Sequence, residues 1–128
     1  MNGILAVAAG GVVGALARYG VYVASGHWLG HGFPFATLIV NVVGSFAMGV
    51  LIETMALAWT TSNEMRLFLA VGVLGSFTTF STFSLDFVVL YERRDWWLSA
   101  LYASASVILS IGALFGGLHL MRRLLAPV

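Results

Sequence analysis

Cysteine is absent from this chain, which excludes both a disulfide frame and a thiolate metal site. Charge is scarce as well: 9% of the 128 residues are charged, against 60% that are hydrophobic. With a mean hydropathy of +0.98, the chain has too little polar surface to cover a water-soluble domain of this size. It therefore reads as an integral membrane protein. Lysine is missing too. The six basic residues are all arginine and form no run suited to a nucleic-acid backbone, so nucleic acid is discounted as a partner. Residues 1–3 hold no basic side chain, which argues against a cleavable signal peptide and makes the first apolar segment a retained span.

What is present is apolar sequence in quantity. A transmembrane helix needs about 20 mainly apolar residues, and four such segments fall at about 4–24, 35–59, 65–91 and 97–121. The expected architecture is thus an all-α membrane protein, one four-helix domain over residues 1–128. In the first span, Gly10, Gly11 and Gly14, with Ala15 and Ala17, make a small-residue side suited to close packing. Arg18 lies within that span near its far end, where it either snorkels to the headgroups or binds helix-end carbonyls. Ser25 to Pro34 reads as an interfacial loop with Trp28 at headgroup level. His27 and His31 have i,i+4 spacing there, a weak metal signal without a third ligand.

In the second span Thr37, Asn41, Gly44 and Ser45 share one helical face. An amide in hydrocarbon must find partners, so Asn41 either bonds a neighbouring helix or faces a pore. Glu53 is expected at the interface, and Ser62 or Asn63 can cap the next helix. The fourth span carries Tyr102, Ser106 and Ser110 at four-residue spacing, a polar stripe from which Ser99 and Ser104 are expected to lie apart. Between these comes the chain's most unusual stretch, Gly72 to Ser84 (GVLGSFTTFSTFS). It puts hydroxyls, two glycines and three phenylalanines inside an apolar run. A helix broken near the middle of the third span is expected here, exposing backbone groups within protein.

Loops alternate sides, so Arg66, Arg122 and Arg123 share one face of the membrane, and Arg18, if it reaches outward, joins Arg93 and Arg94 on the other. Three against three leaves the positive-inside rule nearly balanced. The expected consequence is insertion in both orientations and an antiparallel homodimer, which also buries polar faces that four helices cannot hide alone.

Three motifs now carry a resemblance: Gly10 to Tyr19 (GGVVGALARY), Ala36 to Gly44 (ATLIVNVVG) and, above all, Gly72 to Ser84, joined by the Tyr102, Ser106 and Ser110 stripe. Together they touch all four spans and resemble the small dual-topology fluoride channels called Fluc or CrcB. The resemblance implies a fluoride-selective channel that passively exports fluoride across the bacterial cytoplasmic (inner) membrane and confers fluoride resistance. It implies two pores per antiparallel dimer and a structural sodium ion at the dimer centre, held by the carbonyls of Gly75 and Thr78 from both subunits. The fluoride pathway it implies comprises Asn41, Thr79, Phe80, Phe83, Tyr102, Ser106 and Ser110. Ring edges of Phe80 and Phe83 would face the anion without a full charge, and Arg18 and Thr37 match vestibule or packing positions. Asp86 stands where the family commonly has glutamate, one methylene longer, and Ser76 and Ala36 stand where glycine is frequent.

Two rival classes are weaker. A proton-coupled small multidrug exporter, also four-span and dual-topology, resembles its relatives in having a carboxylate in the first span; residues 4–24 have none. An intramembrane enzyme using a serine and His119 lacks any third group, so no enzyme is expected.

Overall fold

The computed structural model describes residues 2–127, and the regular structure among them is helical. Its elements are α1 (Asn2–Leu29), α2 (Phe35–Leu57), α3 (Asn63–Arg66), a π-helical segment (Leu67–Leu74), α4 (Gly75–Phe77), α5 (Phe80–Glu92) and α6 (Trp96–Leu125). Four spans are long and apolar enough to cross a membrane: α1, α2, the composite Asn63–Glu92, and α6.

α1 runs past the expected end at Ala24 and absorbs His27 and Trp28, whose rings meet edge to face at 5.3 Å and 88°. Gly26 does not stop it. The stop comes at Gly30, whose φ of +76° supplies the left-handed turn that favours glycine after a helix. The interfacial loop is thereby cut back to 30–34. α2 ends at Leu57, where the N–H groups of Ala58 and Trp59 both donate to the Thr54 carbonyl. Ser62 caps α3, its hydroxyl accepting from the Met65 N–H at 3.2 Å.

Glycines set the helix pairing. α1 packs on the π-helical segment, with Gly10 against Gly72: a Cβ on Gly10 would lie 2.8 Å from the Gly72 Cα. Gly14 leaves the slot that the Ser76 hydroxyl fills. That hydroxyl lies 2.6 Å from the Gly72 carbonyl and 3.0 Å from the Gly11 carbonyl, tying the third span to the first. Ala15 and Ala17 are exposed and Gly11 is half-buried, so of the expected small-residue side only Gly10 and Gly14 are buried in this pairing. α2 packs chiefly on α6, where a Cβ on Gly117 would collide with the Phe46 carbonyl of α2. The third span changes partner along its length: its first half lies on α1, whereas α5 turns to α6.

The interior is unusually polar. Among the described residues the buried apolar set is Val40, Leu90 and Tyr102, while Ser25, Thr37, Glu53, Thr79, Ser99 and Ser106 are buried polar ones. Lipid solvates the apolar exterior, so helix contacts rely on close packing and hydrogen bonds. Glu53, expected at the interface near the end of its span, is 8% exposed. Arg122 donates to it through Nε at 2.9 Å and Nη2 at 3.2 Å, a two-pronged pair that clamps α2 to the end of α6. Ser99 departs from expectation. It is buried on α6 three residues before Tyr102, its hydroxyl donating to the Asp95 carbonyl, because spacings of three and four share one face.

Candidate functional site

The break in the third span falls at Thr78 and Thr79, whose backbones are extended (φ −85°, ψ 159° and φ −155°, ψ 125°). Asn41 of α2 holds it. The Asn41 Nδ2 donates to the Thr79 carbonyl at 2.9 Å, and its Oδ1 accepts the Thr79 N–H at 2.8 Å. One side-chain amide thus replaces, for Thr79, the two hydrogen bonds a continuous helix would have made. Thr79 then caps α5, its hydroxyl accepting from the Thr82 N–H at 3.2 Å.

The carbonyls of the last turn before the break lose their helical donors as a result. In an α-helix the carbonyl of residue i accepts from the N–H of residue i+4. For Gly75 that donor is Thr79, now bound to Asn41; for Thr78 it is Thr82, now bound to the Thr79 side chain. Gly75 and Thr78 are thus two of the four residues, with Ser76 and Phe77, whose carbonyls the break deprives of their helical donors.

Beside the break lies a cavity of about 290 Å³, lined among others by Asn41, Thr79, Phe80, Phe83, Ser106 and Ser110. Six of the seven expected pathway residues meet there. The Oγ atoms of Ser106 and Ser110 are buried and bond to no protein group. A buried hydroxyl without a partner is costly, and these two lie on the wall of a cavity able to hold something polar. Phe80 and Phe83 are 5.4 Å apart between ring centres, and Phe80 is 77% exposed at the edge of the single chain.

Tyr102 stands just beyond. Its ring lies 5.2 Å from Phe83 and it is fully buried, with its hydroxyl donating to Asp86 Oδ2 at 3.1 Å. Thr37 donates to the same oxygen at 2.6 Å. Since the single Thr37 proton is used there, the Tyr22 hydroxyl is the donor in its 2.8 Å contact with Thr37. Two hydroxyls thus meet on one carboxylate, with Tyr22 bonded to the first of them, beside a second cavity of about 450 Å³ that Tyr22, His31, Phe33, Thr37, Asp86 and Arg93 help to line. Arg18 is half-buried on α1 and does not line either cavity.

Sequence reasoning did not assign Ser45, Tyr22 or Phe33 to the site. Ser45 had a signal, since it lies four residues after Asn41 and lines the inner cavity with it. Tyr22 and Phe33 had none, because their partners are distant in sequence.

Comparison with known proteins agrees with this arrangement. Residues 5–118 match the family described as CrcB-like protein, Camphor Resistance (CrcB). A protein of Rhodospirillum centenum named fluoride-specific ion channel FluC is 56% identical over 126 residues, covering 98% of this chain and 100% of its own. Its namesake from Agrobacterium fabrum is 53% identical over 124 residues, covering 97% and 99%, and that from Nitrobacter winogradskyi 48% over 119 residues, covering 93% and 94%. Four apolar spans, a third span broken beside an asparagine, and similarity along nearly the whole length have one common explanation: this chain belongs to the CrcB family.

Proposed function

We propose that this protein is a fluoride-selective channel that lets the anion leave a bacterial cell passively across the cytoplasmic membrane. The observation that carries the reading is the pair of buried, unpartnered hydroxyls, Ser106 and Ser110, on a cavity wall shared with Phe80, Phe83 and Asn41. Fluoride is small and strongly hydrated. A conducting site must return enough of the lost hydration to admit it, yet bind weakly enough to release it. Neutral hydroxyl donors meet both demands better than a fixed cation, and the positive edges of phenyl rings add attraction without a full charge. Asn41 keeps one Nδ2 proton beyond the one given to Thr79, a further donor at the same wall. The relatives' shared name, fluoride-specific ion channel, supports the same substrate.

The working unit in this reading is an antiparallel homodimer with two pores. Phe80, 77% exposed on a single chain, then lies against the partner and helps close the pathway. A sodium ion at the dimer centre completes it. The carbonyls of Gly75 and Thr78 fit such an ion: both are neutral hard oxygens whose helical donors have been diverted. When bound, the ion supplies positive charge that holds the broken segments of both copies together.

The test is fluoride efflux from liposomes reconstituted with the purified protein, measured beside chloride. Rapid fluoride release with chloride retained is the expected result. Equal release of both anions, or none of fluoride, overturns the reading.

A further inference from the structure

The loop between α1 and α2 contains a small rigid device that the conduction pathway described so far does not use. Pro34 has φ −78° and ψ 64°, and the Phe35 N–H donates to the Phe33 carbonyl at 2.8 Å across it. That is an inverse γ-turn, with the proline ring restricting the central φ. The turn fixes where Phe33 points. Its ring lies 4.8 Å from that of Phe35 and 5.5 Å from that of Tyr102, meeting the tyrosine edge to face at 87°.

Phe33 thereby extends the row Phe80, Phe83, Tyr102 out to the wall of the larger cavity. Tyr102 thus has two ring neighbours, Phe33 and Phe83. With two rings against it and no exposed surface, the tyrosine has little freedom to rotate, and its hydroxyl stays on Asp86. We propose that Phe33, presented by the Pro34 turn, is a positioning residue for anion conduction: it locks the Tyr102 ring so that the phenol keeps its place between the outer cavity and the hydroxyl-lined inner one. This rests on the channel reading above. Phe33 needs no contact with the anion, and its effect passes through the Tyr102 hydroxyl.

A double-mutant cycle in the liposome assay tests it. Fluoride flux in the unsubstituted protein comes first, since its absence sinks the channel reading and not this one. Given that flux, Phe33→Leu slows fluoride release about tenfold, whereas Phe33→Tyr, which keeps the ring, stays within about twofold. In a Tyr102→Phe background, Phe33→Leu changes the rate by less than about twofold, because the hydroxyl it positions is gone. The same fold-loss in both backgrounds overturns the proposal, as does an unchanged rate for Phe33→Leu alone. Size-exclusion chromatography checks assembly. Should Phe33→Leu fail to assemble, Pro34→Ala leaves both rings and loosens only the turn; it is expected to slow release about threefold in the native background and not in Tyr102→Phe, and equal slowing in both rejects the role.

Discussion

At the scale of single residues, hydrogen-bond accounts separate side chains that hold the structure from those left to the proposed anion pathway. Ser106 and Ser110 have buried hydroxyls and no protein partner. Replacing either with alanine removes no internal hydrogen bond, so the melting of the purified protein should change by no more than about 0.5 kcal/mol. Fluoride release should nevertheless fall about five- to tenfold, as expected for losing one donor worth about 1 kcal/mol. A loss of stability that matches the loss of flux would assign them to packing instead. Asn41 is the opposite case. Asn41→Asp keeps an acceptor for the Thr79 N–H but loses the donor to the Thr79 carbonyl. Fluoride release about tenfold slower, with the dimer intact on size exclusion, is expected; unchanged flux would remove Asn41 from the working site. Here the limits of the sequence are physical. Periodicity placed Asn41 on a face with Thr37 and Ser45, but its partner Thr79 is 38 residues away. The Glu53 partner was out of reach for the same reason, Arg122 lying 69 residues on.

At the scale of elements, the broken third span was the most legible feature, because hydroxyls and glycines inside an apolar run conflict with a continuous helix. The position of the break within that run was not legible. It depends on which N–H groups other side chains capture, and Thr79 does part of this locally by capping α5. Thr79→Ala should remove that cap, at a cost of about 1 kcal/mol. It also frees the Thr82 N–H to return to the Thr78 carbonyl, withdrawing an oxygen from the proposed sodium site. The measurement is the melting temperature of the purified protein in sodium against a large organic cation. Sodium should stabilise the native protein, and Thr79→Ala should lose most of that increment; an undiminished increment would take Thr78 out of the cation site. The length of α1 shows the converse limit. Glycine at 26 suggested a loop, yet a helix in an apolar setting tolerates glycine until a left-handed residue such as Gly30 ends it.

At the scale of the whole molecule, the proposed antiparallel dimer requires one chain to insert in two orientations. α1 and α6 expose apolar side chains along their length, as lipid or a second copy requires, and Phe80 lies open at the edge of its own cavity. Arg66, Arg122 and Arg123 fall on one side and Arg93 and Arg94 on the other, with Arg18 inside α1, a near balance that suits the proposed insertion in both orientations. That balance can be upset deliberately. Thr60 and Asn63 are exposed in the turn on the Arg66 side, while His27 and Glu92 are exposed at the opposite end. Thr60→Lys with Asn63→Lys biases insertion one way, and His27→Lys with Glu92→Lys biases it the other. If the functional unit is antiparallel, each doubly substituted protein expressed alone should lose most of its fluoride transport, for want of an inverted partner. Expressing the two together should restore it, because each then supplies the orientation that the other lacks. Labelling of an appended terminal tag from either side of the membrane gives the orientations directly. Full transport by one biased protein in a single verified orientation would mean that the dimer is parallel or that one chain suffices, and the exposed Phe80 would then need a different account.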